Sequence, residues 1–250
     1  MKTIGEYAFS KCAKFTGDLI IPNSVTTLGK YAFNECNGFT GNLIIGDSVT
    51  AINNFAFFKC SNLAGTIKIS NNATTIGDGA FAFCSKLSGN LTIPDKVAAI
   101  DYGAFWECSG FTGYLVIGNS VTSIGMHAFT KDGGRVERKK DSDYWYSYTL
   151  QLNFSRVYCK ASSLPSINTG EINYYDLDDR FNDGYEPIDI WHGFDTYGGV
   201  YKYPERSGGS FRDDRDNKLP HLIVPIGSKS KYSNNGKWSA TFELIEETDF

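Results

Sequence analysis

The chain has 250 residues, of which 41% are hydrophobic and 21% charged, and its formal net charge at pH 7 is −4. This composition is too apolar for a disordered chain, and the weak negative charge does not favour nucleic acid or an anionic membrane as a partner. No apolar run approaches the roughly 20 residues needed to cross a bilayer, and residues 1–6 lack the apolar core of a signal peptide. We therefore predict no nucleic-acid partner and no membrane-spanning segment.

The first 130 residues are built from a 24-residue internal repeat. An Ala-Phe pair, a cysteine and a glycine recur at this spacing. The phenylalanines are Phe9, Phe33, Phe57, Phe81, Phe105 and Phe129, the cysteines are Cys12, Cys36, Cys60, Cys84 and Cys108, and the glycines are Gly17, Gly41, Gly65, Gly89 and Gly113. A single repeat cannot bury enough surface to fold alone, so successive coils must stack. The period predicts a solenoid in which like side chains meet.

Each coil is predicted to hold one short parallel strand and two corners. Apolar alternation indicates strands at 19–21, 43–45, 67–69, 91–93 and 115–117. The first corner follows at Asn23, Asp47, Asn71, Asp95 and Asn119, whose side chains are expected to bond their own backbone two residues on. The second corner falls at Gly5, Gly29, Asn53, Gly77, Asp101 and Gly125, where we predict a left-handed backbone. The stretch after it is too short for more than a helical turn.

This repeat, I-G-x-x-A-F-x-x-C-x-x-[FL]-x-G-x-[LI]-x-I, resembles the BspA-like branch of leucine-rich repeat proteins from Ile4 to Phe129. It departs from the commonest family spacing by one extra residue in F-T-G-D-L-I-I-P, which should alter the outline of the coil and leave its topology unchanged. The resemblance implies a leucine-rich repeat solenoid with short helical or 3₁₀ segments and an irregular C-terminal cap. It also implies an extracellular or cell-surface protein of a host-associated microbe that adheres to host proteins or to other cells.

Residues 131–250 are expected to form irregular C-terminal coils. A charged stretch, 131–143, is interpreted as a solvated loop, and Val157–Cys159 should align with Leu19–Ile21, which places Cys159 outside the cysteine ladder. Residues 156–161 and 222–229 resemble the terminal coils of such proteins, with a closing cap at 219–250. Between them, residues 168–218 carry 12 acidic and 6 basic residues and many aromatic ones. We predict that they form a folded insertion packed on the C-terminal coils.

No catalytic residue, cofactor or metal is predicted. Zinc needs four converging ligands, which a line of thiols cannot supply, and five rungs cannot all pair as disulfides, so the thiols are interpreted as free, buried apolar fillers. His127 and His221 are expected at the surface, and neither lies near a nucleophile motif. An EF-hand register fails around Gly184, which leaves a solvated acidic loop or another kind of calcium site open.

Binding is predicted on the outward strand side chains, which line the concave sheet of leucine-rich solenoids over roughly 30 Å. These residues are Asp18, Asn42, Thr66, Lys68, Asn90, Thr92, Tyr114, Arg156, Tyr158 and His221, and the insertion adds Trp191, His192, Tyr197 and Tyr201. The leading hypothesis is a non-enzymatic adhesion scaffold for a host or cell-surface protein. The alternatives are glycan capture by the aromatic insertion and a purely architectural spacer in a longer protein, which the mid-repeat start at Ile4 favours. Outward residues that are merely solvated would also explain the pattern.

Overall fold

The computed structural model describes residues 1–125, 127–129, 136–138, 144–146, 154–161, 163, 165–167, 221–235 and 244–250. The chain divides into two compact units, Met1–Asn168 together with Ser207–Phe250, and Thr169–Arg206. The description below concerns the first unit. The predicted insertion at 168–218 lies outside the described residues, and so does its predicted packing against the C-terminal coils.

The described part is a parallel β-solenoid with a 24-residue period, which confirms the predicted fold class. In chain order the strands are β1 (Thr3–Ile4), β2 (Leu19–Ile21), β3 (Thr27–Leu28), β4 (Leu43–Ile45), β5 (Ala51–Ile52), β6 (Ile67–Lys68), β7 (Thr75–Ile76), β8 (Gly89–Thr92), β9 (Ala99–Ile100), β10 (Phe111–Ile117), β11 (Ser123–Ile124), β12 (Val136–Arg138), β13 (Tyr144–Tyr146), β14 (Arg156–Cys159), β15 (Ser166–Ile167), β16 (His221–Pro225) and β17 (Leu244–Thr248). Among the described residues, one helix, α1 (Lys229–Ser233), lies between the last two of these strands.

The regular coils contribute to two strand ladders. The long-strand ladder consists of the parallel sheets β2-β4-β6 and β8-β10-β14-β16-β17. The short-strand ladder consists of β1-β3 and β5-β7-β9-β11-β15. Registers advance by one repeat per step, as in Leu19 with Leu43 and Thr3 with Thr27. The short-strand ladder adds a second strand to the one that the sequence predicted in each coil, because two residues are too few to show an alternating pattern.

Outside the regular coils, the charged stretch 131–143 does not consist only of loop. It contains β12, which pairs antiparallel with β13 through Val136 and Tyr146. Further on, Ile117 pairs with Cys159, which confirms the predicted alignment of Val157–Cys159 with the earlier strands. The Tyr232 hydroxyl of α1 donates to the Ala161 carbonyl at 2.6 Å and lies 3.3 Å from Cys159 Sγ. These contacts hold the helix against the coil that contains β14.

Most left-handed residues lie two and six positions beyond the predicted second corner and none lies at it, so that prediction is wrong. Positive φ occurs at Tyr7, Tyr31, Phe55, Gly79, Gly103 and His127, and again at Lys11, Glu35, Lys59, Phe83 and Glu107. The N–H groups at these sites donate to the next coil, as Tyr31 N does to Asn54 O at 3.1 Å and Glu35 N to Phe58 O at 2.7 Å. In between, Asn34 N bonds Tyr31 O within the coil. Alternate N–H groups thus serve the turn and the neighbouring coil, which leaves them paired.

The corner glycines serve close approach between coils. A Cβ at Gly29 would collide with backbone atoms of Gly5 and Glu6 in the preceding coil. Aromatic side chains occupy several of the left-handed positions, and Tyr31 stacks on Tyr7 at 4.8 Å and on Phe55 at 4.9 Å. A left-handed non-glycine residue costs about 1–3 kcal/mol, and each aromatic pair contributes about 0.5–1.5 kcal/mol beyond its buried area. Ring stacking therefore offsets part of the backbone strain.

The core is a set of like-on-like stacks, as predicted. The six repeat phenylalanines stack with ring centroids 5.0–5.5 Å apart and planes within 14° of parallel. All six cysteines are free. Each thiol from Cys36 onward in the ladder donates to a phenylalanine carbonyl of the preceding coil, as Cys60 does to Phe33 at 3.0 Å. The thiol ladder is therefore both an apolar filler and a row of weak hydrogen bonds between coils.

Candidate binding surface

The candidate surface is the outward side of the long-strand ladder, which we call the outer face. Leu19 and Ile21 are buried, whereas Asp18 and Ile20 are exposed. Strand register extends this alternation through the later coils, since Tyr114 pairs with Arg156 and Arg156 with His221. All ten predicted face residues lie on this side, and all are exposed or half-buried: Asp18, Asn42, Thr66, Lys68, Asn90, Thr92, Tyr114, Arg156, Tyr158 and His221. The structure thus brings together the residues that the repeat pattern selected.

Three polar residues of the outer face also join neighbouring coils. Asp18 Oδ1 accepts from the backbone N–H of Asn42 at 2.7 Å, and Asn42 Oδ1 accepts from that of Thr66 at 2.9 Å. Asn90 Oδ1 accepts from the Tyr114 N–H at 3.0 Å. Sequence reasoning missed these bonds, although the recurrent glycine of the repeat carried a signal for them. A Cβ at Gly41, Gly65 or Gly113 would collide with one of these three side-chain oxygens.

The first corner contains a second row of bonds between coils. Asn23 Oδ1 accepts from the Asp47 N–H at 2.8 Å, and Asp47 Oδ1 accepts from the Asn71 N–H at 2.9 Å. The corner prediction is therefore correct in position and wrong in bonding, because these oxygens face the equivalent residue one coil on. The Asn71 N–H, together with Lys68 Nζ at 3.3 Å, lowers the pKa of Asp47. Lys68 is thus an ion-pair partner as well as a face residue.

Aromatic side chains gather on the outer face at its C-terminal end. Tyr114 and Tyr158 lie with ring centroids 5.5 Å apart at an interplanar angle of 78°, and Phe250 lies 6.4 Å from Tyr158. Tyr114 is 41% exposed and Phe250 is 50% exposed. Arg156 is exposed, lies opposite Tyr114 and two residues before Tyr158, and forms no ion pair with any described residue. We call Tyr114, Arg156, Tyr158 and Phe250 the aromatic patch. Phe250 was missed because it follows β17 without any repeat signal.

The two described histidines differ in their environments. His127 was predicted at the surface, and this is wrong, because its ring is half-buried against Tyr102 at 5.7 Å and Trp106 at 5.9 Å. Burial lowers the pKa of His127 to about 4. His127 occupies the repeat position of Tyr7 and has the same left-handed backbone, and its ring packs against these two aromatic side chains. His221 lies on the outer face at the predicted strand position.

The described residues offer little reactive chemistry. Within them, no group of three or more His, Cys, Asp or Glu side chains is placed to hold a metal ion. Burial raises the pKa of Cys36 to about 12 and raises the pKa values of Cys60, Cys84 and Cys108 as well. These thiols are therefore not thiolates at neutral pH. The search for long apolar helices in the same part of the chain finds none able to cross a membrane.

The predicted insertion residues Trp191, His192, Tyr197 and Tyr201 lie outside the described residues. Their role in binding stays a prediction. The prediction of a calcium site or solvated loop around Gly184 lies outside the described residues as well.

Coils of 24 residues, stacked phenylalanines and an exposed strand face define a repeat solenoid of the leucine-rich class. The chain belongs to the BspA-type leucine-rich repeat family, since the model of the "BspA type Leucine rich repeat region" matches six copies over residues 2–133. The chain is also similar to the crystal structure of a leucine rich cell surface protein from Faecalibacterium prausnitzii A2-165. Sequence identity is 20%, coverage is 100% of this chain and 84% of that chain, and the TM-score is 0.39. No curated protein matches the chain.

Proposed function

We propose that this protein is a non-enzymatic binding scaffold, outside the cell or on its surface, that recognises a protein partner through the outer face and the insertion at 168–218. The observation that carries the proposal is the aromatic patch. Two tyrosines and an arginine stand on adjacent strands whose inward neighbours, Leu115 and Val157, are fully buried. Tyrosine and arginine dominate the energetic centres of protein interfaces. A rigid sheet presents them with little ordering cost on binding.

Two further features support a scaffold. The ladder thiols from Cys36 to Cys108 are buried and donate to carbonyl groups, so these cysteines serve packing between coils. Strands about 4.8 Å apart give eight successive rungs a span of roughly 34 Å, comparable to the width of a protein interface. The surface location rests on family membership, and the similar protein of F. prausnitzii is itself described as a cell surface protein.

The test is a pull-down of extracellular host proteins by the full chain. A double variant, Tyr114→Ser with Tyr158→Ser, removes the aromatic rings of the outer face. Phe15→Ser is the matched control, because Phe15 is 49% exposed and does not belong to the outer face. We expect the double variant to lose a partner that the wild type and the control retain. Equal capture by all three chains, or capture by none, would contradict the proposal.

Glycan capture by the insertion is the second candidate function, favoured by its density of aromatic residues and by Trp191 in particular. Replacing Trp191 and Tyr197 by alanine and screening a glycan array separates the two functions. Sugar binding that is lost in this variant favours the glycan function. Unchanged protein capture with no glycan signal favours the scaffold. A chain that captures neither class acts as a spacer.

A further inference from the structure

The two halves of the outer face differ in how far their polar side chains are already hydrogen-bonded. In the N-terminal half, the side-chain oxygens of Asp18, Asn42 and Asn90 already accept backbone N–H groups of the next coil. Lys68 is paired with Asp47 at 3.3 Å. A partner that took over these oxygen acceptors would compete with bonds that already join neighbouring coils. The groups already bonded in this half therefore offer a partner less net affinity than groups without such bonds.

The C-terminal half carries groups that no such bond engages. Tyr114 and Arg156 are directly opposite each other on β10 and β14, and Tyr158 follows two residues later on the same side. The perpendicular packing of Tyr114 and Tyr158 holds both rings in place while leaving Tyr114 substantially exposed. Phe250 extends the apolar area beyond Tyr158. The aromatic patch is thus a pre-organised contact with a single arginine inside it.

The charges around the patch indicate what it would contact. Arg156 is exposed, and none of the described acidic groups pairs with it. A guanidinium presents a planar fork that matches one carboxylate, and it is more weakly hydrated than an ammonium group. Glu246 lies two strands beyond Tyr158 in the same register, about 10 Å away, and Asp249 precedes Phe250. These acidic residues would repel a partner with a long run of acidic side chains. A partner that presents one isolated carboxylate is therefore favoured.

We propose that the aromatic patch is the main contact of the outer face, and that it takes a polypeptide presenting one carboxylate side chain next to an aromatic one. The aromatic side chain packs on Tyr114 and Tyr158, and the carboxylate binds Arg156. The inference rests on the proposed function, since it names the chemistry of the partner at the same surface.

The probes are a random copolymer of Glu and Tyr, poly-Glu, and a random copolymer of Lys and Tyr, each immobilised and titrated with the full chain. We expect the Glu-Tyr copolymer to bind best. Arg156→Gln and Tyr158→Ala should each weaken that binding at least tenfold, and Arg156→Lys should restore only part of it. Lys14→Gln is the matched control, because Lys14 is an exposed cation that does not belong to the outer face, and it should bind as the wild type does. Circular dichroism of every variant checks that the solenoid is intact.

Three results would overturn the inference: no binding of the wild type to the Glu-Tyr copolymer, equal binding by the Arg156→Gln variant, or stronger binding of poly-Glu or the Lys-Tyr copolymer. A wild-type chain that binds only sugars on a glycan array would also overturn it. If Arg156→Gln retains the partner captured in the pull-down while the double tyrosine variant loses it, the carboxylate inference fails and the proposed function stands. If the wild type captures no protein at all, the proposed function fails.

Discussion

The phenylalanine stack gives the sharpest test of the folding argument. Phe81 is fully buried and lies between Phe57 at 5.4 Å and Phe105 at 5.0 Å. Phe81→Ala leaves a cavity closed by a ring on each side, and such substitutions cost about 3–5 kcal/mol. The neighbouring coils cannot collapse into the gap, because backbone bonds such as Phe57 N to Ala80 O fix their separation. We therefore expect a loss at the upper end of that range.

Phe9→Ala is the matched control, since Phe9 has the same repeat position but is only half-buried and stacks on a single repeat neighbour, Phe33. A fully buried phenylalanine contributes about 1.5–3 kcal/mol, so a half-buried one should lose about 1–2 kcal/mol, with no closed cavity. Urea unfolding followed by circular dichroism measures both variants, and unchanged m values show that the same cooperative unit is compared. Equal losses at Phe9 and Phe81 would refute the view that stacking between coils stabilises the fold.

Three other predictions follow from the contacts between coils. Gly65→Ala should lower the free energy of unfolding by about 1–3 kcal/mol, because the added Cβ would collide with Asn42 Oδ1. A double-mutant cycle with Asn42→Ala, measured by urea unfolding, should show strong non-additivity. Additive losses of stability would contradict the contact. A thiol reagent followed by peptide mapping should label Cys12, which is half-buried, and spare the other five until the chain unfolds; rapid labelling of those five would contradict their burial. The pKa of His127 is about 4 in the fold, below its usual value, so the unfolded chain binds the proton more tightly. Stability should therefore fall as the pH drops from about 6.5 towards 4, and thermal melts of His127→Phe should lack that part of the pH dependence.

Much of the candidate surface could be predicted from the sequence, because successive side chains of a strand point to opposite sides of the sheet. Once one position is known to be buried, its neighbours in the strand are assigned to the outward side. Tyr114, Arg156 and Tyr158 were placed on the correct side by this rule alone. Phe250 was not, since its contact with Tyr158 depends on where β17 joins the sheet, and no repeat marks that residue. The predicted role of the insertion residues in binding is based on composition, which does not specify where their side chains lie.

The sequence by itself determined the period, the stacked phenylalanines, the free buried thiols and the position of the longer strands. Each of these follows from side chains of the same kind that recur every 24 residues in the sequence. The tertiary structure alone decided where the polar side chains bond and where the backbone becomes left-handed. Asn42 accepts a hydrogen bond from the next coil, and Tyr31, whose N–H donates to the next coil, has a positive φ. Local preferences describe a residue within its own turn, whereas in a solenoid the nearest partner of a polar group lies one coil away.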